Sequence, residues 1–171
     1  MHRLHLLRHA KSSWDEGVED HERSLNRRGR DEARRVGEHL ADAIGGVDLV
    51  LCSSAARARE TMRLVLAGFA PLPRSAVEDE LYLANSAALL KRLARLDESD
   101  GAVLLIGHNP GLHELAVTLA APESRRYRAL ASGKFPTAVR ASFEVASSWS
   151  MLGRTRHTLV DYVTAKSLAE D

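Results

Sequence analysis

Three things are scarce in this chain: cysteine, excess charge of one sign, and long apolar runs. Cys52 is the single cysteine, which excludes an intramolecular disulfide and fits a reducing, cytoplasmic setting. No uninterrupted apolar stretch approaches the roughly 20 residues of a membrane-spanning helix. The apolar run Leu4–Leu7 is too short for a signal peptide and is closed by Arg8 and His9. Lys and Arg number 24 against 23 Asp and Glu, a formal net charge of +1. That balance gives no support for a nucleic-acid or membrane-surface partner through bulk electrostatics. Internal repeats and low-complexity linkers are also missing.

What is present suits one compact domain. The chain has 171 residues, 44% hydrophobic and 27% charged, enough to bury a substantial core. Leu4–Leu7 reads as a short buried strand, followed by a polar stretch from Lys11 to Leu25. Asn26 suits the N-cap of a helix from about Arg27 to Ala43, which Gly45 and Gly46 end. "VDLVLCS" is a second strand, with Ser53 or Ser54 placed to cap a helix running through Val65. "GFAPLPRSA" is a turn-rich connection, and Ser86 begins a helix carrying Leu89, Leu90, Leu93 and Leu96. "AVLLIGHN" is a third strand, with Pro110 in the first turn of a helix to about Leu119. "TAVRASFEV" and "RHTLVDYV" alternate more and suit strands near a sheet edge.

Strands alternating with helices predict an α/β fold, a three-layer α/β/α sandwich with a mostly parallel central sheet. Ligands of such sheets bind beyond the carboxyl ends of the strands. Three strand-to-helix junctions there carry polar groups: "RHAKS", "SSAARARET" and "GHNPG". Parallel neighbours would bring Arg8, His9, Arg57 and His108 to one edge. Two arginines and two histidines with no acidic cluster suit an anionic substrate. Guanidinium forks match phosphate oxygens, one imidazole can attack phosphorus, and the other can stabilise charge on the oxygens. No divalent metal or other cofactor is expected, because these cations already supply the positive charge.

These motifs carry a resemblance. The chain is similar to the histidine phosphatase superfamily, phosphoglycerate mutases included, and most closely to its SixA-like phosphohistidine phosphatase branch. "LLRHAKSSW" resembles the Arg-His signature, with Ala10 where many members have Gly. "DHERSLNRRGRDEA" resembles the Arg-x-Leu-x-x-x-Gly element through Arg23 and Gly29, and "LCSSAARARET" the block of the second arginine, Arg57. "ELYLAN", "LIGHNPGL" and "GKFPTAV" match further blocks. The resemblance implies His9 as nucleophile, with Arg8, Arg57 and His108 binding phosphate and Arg23 completing the pocket. The branch lacks the usual acidic proton donor of its relatives. Glu80, just before "LY", is the nearest candidate here. Ser12 and Asn109 are candidate substrate contacts beside the motifs. The implied substrate is a phosphohistidine in a protein, because a readily departing imidazole needs little acid help. A small phosphate ester is the alternative, and a phosphate-binding module without turnover a further one.

Other chemistries fit less well. His108 and His113 are five positions apart, not the spacing of the H-E-x-x-H zinc motif. "GHNPG" has Asn where a nucleophile elbow needs Ser, and "SGKF" lacks the upstream glycine of a P-loop. Arg125, Arg126, Arg128 and Lys134 form a basic run ahead of "KFPTAV", a solvated face or a dock for an acidic phosphoprotein.

Overall fold

Burial of the apolar runs dictates the layering. The computed structural model describes residues 1–15 and 17–169. Its strands are β1 His2–Arg8, β2 Leu49–Ser53, β3 Arg74–Glu78, β4 Ala102–Gly107, β5 Arg140–Val145 and β6 Thr158–Val163. Its helices are α1 Arg27–Ile44, α2 Ala56–Leu66, α3 Ser86–Leu93, α4 Gly111–Leu119, α5 Tyr127–Ser132 and α6 Ala165–Ala169. The strands form one sheet in the order β3-β2-β4-β1-β5-β6. The pairs β1–β4, β2–β4 and β2–β3 are parallel, while β5 runs against both β1 and β6.

Alternate strand residues point to opposite faces, and each face has its own core. On one side Leu4, Leu6, Leu51 and Leu105 pack with Leu89 and Leu93 of α3 and with Leu112 and Leu115 of α4. On the other, Leu7, Val50, Cys52, Leu104 and Ile106 meet Val36 and Leu40 of α1 and Val65 of α2. Strands β2 and β4 are buried along their whole length, as expected where helices cover both faces. The result is the α/β/α sandwich with a mostly parallel sheet that the sequence implies.

Helix ends follow local chemistry in part. The Asn26 side chain accepts the Gly29 N–H at 2.8 Å and caps α1, and Gly45 at φ +70° closes that helix. Neither Ser53 nor Ser54 caps α2; Ala55 stands at that position without a side-chain bond. Both hydroxyls are used elsewhere, on His108 and His21. Pro110 directly precedes α4 and serves as its N-cap residue. Strand β6 is at the sheet edge and β5 lies one strand in, both near the edge as expected.

Register then places the motifs. Arg8 pairs with Gly107 and Cys52 with Ile106, so β1, β4 and β2 all end at one edge. His9, His108 and Ser53 therefore stand at three neighbouring strand ends. No helix among the described residues is long and apolar enough to cross a membrane.

Candidate active site

Backbone bonds fix the segment after β1 from several sides. The His9 N–H donates to the Gly107 carbonyl at 3.2 Å, and the Ala10 N–H to the Thr61 hydroxyl at 3.0 Å. The Lys11 carbonyl accepts the Asn26 N–H at 3.0 Å, and Ser13 N–H donates to the Ser24 carbonyl at 2.8 Å. This second pair of segments brings Ser12 beside Arg23. The "KFPTAV" stretch supplies the remaining support: the Phe135 carbonyl accepts from Arg8 at 3.0 Å and from Asn109 at 2.7 Å. The Ala138 N–H donates to the carbonyls of Arg8 and His9, both at 3.1 Å.

A pocket of about 350 Å³ opens over this frame, lined among others by Arg8, His9, Arg23, Arg57, His108 and Asn109. Lys11, Ser12, Trp14, Asp20, Leu83 and Thr137 complete its wall. A larger hollow, about 620 Å³, lies between α1 and α6 and contains none of the motif histidines. Among the described residues no three His, Cys, Asp or Glu side chains gather as a metal site.

His9 and His108 face each other with ring centroids 5.1 Å apart. His9 Nδ1 lies 2.7 Å from the Ala10 carbonyl oxygen. A carbonyl can only accept, so Nδ1 carries the proton and Nε2 keeps its lone pair. Burial, together with His108, Arg8 and Arg57, pushes the His9 pKa down to about 3, against the opposing Ala10 bond. The nucleophilic form therefore persists far below the ordinary histidine value of about 6.5. Burial first, and Arg57 next, likewise lower His108 to about 4.

Arg57, in the first turn of α2 and 2% exposed, reaches three acceptors. Its N–H groups donate to the Asp20 carbonyl at 2.8 Å, the Asp20 carboxylate at 3.1 Å and His108 Nδ1 at 3.5 Å. Arg23 donates to the Asp20 carboxylate at 3.1 Å, the Ser12 hydroxyl at 2.7 Å and the Ser13 carbonyl at 2.9 Å, and stacks on Trp14. Tyr82 also donates its hydroxyl to Asp20. That bond, with those from Arg57 and Arg23, holds the Asp20 carboxyl down to about 2. Three guanidinium groups and two neutral imidazoles around one cavity can bind a tetrahedral dianion and accept its phosphoryl group.

The structure brings together Arg8, His9, Ser12, Arg23, Arg57, His108 and Asn109. It does not bring in Glu80, whose carboxylate pairs with Arg95 at 2.7 Å and Arg92 at 3.5 Å and is absent from the pocket wall. Two functional positions escape the sequence reading. Asp20 sits in the polar stretch before Arg23, and its i,i+3 spacing to that arginine is the one available hint. Ser53 reads as a helix cap and is instead a partner of His108 at 2.7 Å.

Comparisons with known proteins point to a family. A family model described as the histidine phosphatase superfamily, branch 1, matches residues 4–81. Together with the two SixA structures described next, that match shows that the chain belongs to the histidine phosphatase superfamily, in its SixA-like branch. An uncharacterized protein of Mycobacterium tuberculosis, Rv1276c, is 37% identical over 147 residues, 84% of this chain and 90% of the relative. The crystal structure of a candidate phosphohistidine phosphatase SixA from Agrobacterium tumefaciens superposes with a TM-score of 0.81. It is 30% identical and covers 95% of this chain and 97% of that one. Its counterpart from Nakamurella multipartitia gives a TM-score of 0.84 at 26% identity, covering 95% of each chain. Membership and these neighbours support phosphatase activity.

Proposed function

We propose that this protein removes the phosphoryl group from phosphohistidine in a protein substrate, through a covalent phosphoenzyme on His9. The observation that carries the reading is the His9 Nδ1–H bond to the Ala10 carbonyl, which aims an unprotonated Nε2 into a pocket of guanidinium groups. Nε2 attacks phosphorus, and the bond from phosphorus to the substrate's ring nitrogen breaks. The departing ring takes that electron pair and, already protonated at its other nitrogen, leaves as neutral imidazole. Water then attacks the phosphorus, the electron pair of the bond to Nε2 returns to Nε2, and dihydrogen phosphate departs with the water's oxygen and both its protons. Arg8, Arg23 and Arg57 balance the charge on the phosphoryl oxygens throughout.

The leaving group is where substrate classes separate. Asp20 is the carboxyl group in the described pocket wall, and at about 2 it is ionised at neutral pH. An ionised carboxylate cannot protonate an alkoxide, so simple alkyl phosphates get no acid help. Phosphohistidine needs none. Trp14, 76% exposed, and Leu83, 53% exposed, add open apolar surface to the pocket wall, which suits contact with a protein carrying the phosphate. Turnover of a phosphohistidine protein and of phosphoimidazole should exceed that of glycerol phosphate by on the order of 10²-fold in kcat/KM, the lower range of what a general acid is worth. Equal turnover of the alkyl ester would contradict this substrate class.

A further inference from the structure

The hydrogen bonds around His108 carry information beyond its place in the pocket. Ser53, fully buried at the end of β2, has its hydroxyl oxygen 2.7 Å from His108 Nε2. The same oxygen accepts the Ala55 N–H at 3.3 Å. Across the ring, an Arg57 N–H points at Nδ1 from 3.5 Å. A guanidinium only donates, so Nδ1 here holds the lone pair and the ring proton sits on Nε2, directed at Ser53. Ser53 then receives two donors, and its own O–H finds no acceptor among the described residues.

A phosphoryl oxygen beside Nδ1 inverts this demand. It accepts the Arg57 N–H and requires that Nδ1 donate as well. We propose that Ser53 is the positioning residue that lets His108 change tautomer when phosphate binds. As the proton passes to Nδ1, the Ser53 hydroxyl turns and donates to Nε2, using the proton that was left over. His108 keeps one ring proton before and after, so no net proton is drawn from solution. This inference rests on the pocket being a phosphate site.

Staying neutral matters because two guanidinium groups face the ring. Arg57 approaches it from α2 and Arg8 from β1, with the Asp20 carboxylate and the His21 ring of the 20–22 turn also beside it. The rings of His9, at 5.1 Å, and Tyr82, at 5.6 Å, complete the surroundings. A serine suits both states since its hydroxyl donates and accepts; alanine serves neither.

The test is the His108 ring itself, followed by long-range proton–nitrogen NMR on the ¹⁵N-labelled protein at pH 7.5, with inorganic phosphate as probe. The Nε2–H form is expected without phosphate and the Nδ1–H form at saturation. Ser53→Ala should weaken phosphate binding on the order of tenfold, the usual scale of one lost hydrogen bond to a charged system. Its deficit relative to wild type should shrink toward pH 5, because the variant must take up a proton instead. Ser53→Thr, which keeps the hydroxyl, should restore binding and the tautomer change. Phosphate-induced shifts at His9 with an unchanged His108 tautomer would overturn the proposal alone. No response of either ring would overturn it together with the phosphate-site reading.

Discussion

Arg57 is held by the backbone and carboxylate of Asp20 and by the ring of His108, a two-pronged geometry that a single ammonium cannot copy. Arg57→Lys should lower turnover on the order of 10²-fold, as for loss of one preorganised donor, with the fold unchanged by circular dichroism. A near-normal rate would place Arg57 outside the chemistry. Arg8, His9, Arg57 and His108 were legible because each follows or flanks a buried strand that topology brings to one edge. Asp20 and Ser53 were not, since their roles come from partners far along the chain: Arg57 and Tyr82 for one, His108 for the other. Glu80 shows the converse. It lies near the motif in sequence, but Arg92 and Arg95 on and just beyond α3 hold its carboxylate.

At the scale of elements, the site depends on how closely α1 approaches the segment after β1. A Cβ at Gly29, in the first turn of α1, would stand 2.0 Å from the Lys11 carbonyl oxygen. That is why the Arg-x-Leu-x-x-x-Gly spacing ends in glycine: any side chain would push the helix off the segment that carries Ser12 and touches Arg23. Gly29→Ala should lower the unfolding free energy by about 1–3 kcal/mol, the scale of overpacking, read as a lower denaturant midpoint at unchanged m-value, and should weaken phosphate binding too. An unchanged midpoint would contradict this packing. The long, strongly patterned elements α1, β2 and β4 were legible from the sequence. Strand β3 was not, because it falls at the end of the turn-rich "GFAPLPRSA" stretch and none of its residues is buried. Helix α5 hides in the basic run and buries a single residue, Leu130, too little for a periodic signal.

Across the whole molecule, burial of neutral histidines makes the fold acid-sensitive. Burial lowers His5 and His9 to about 3 and His108 to about 4, against about 6.5 in the unfolded chain. Between those values the unfolded chain binds more protons, so stability falls as pH drops from about 6.5 toward 4. Each histidine contributes up to about 1.4 kcal/mol per pH unit in that window. Asp20 acts lower, since its folded value near 2 matters only below the ordinary carboxylate range. Denaturant midpoints at pH 7.0, 5.5 and 4.5 should decline, and His9→Gln should flatten the decline; a constant midpoint would contradict the neutral, buried state of these rings. The central claim is that the fold presents His9 Nε2 as a phosphoryl acceptor. Its most direct test is rapid acid-free quenching during turnover of ³²P-labelled phosphohistidine protein, followed by peptide mapping under alkaline conditions. The account predicts an alkali-stable, acid-labile label on the peptide containing His9, absent in His9→Ala along with turnover. Label on His108, Ser12 or Ser13, or full activity of His9→Ala, would contradict it.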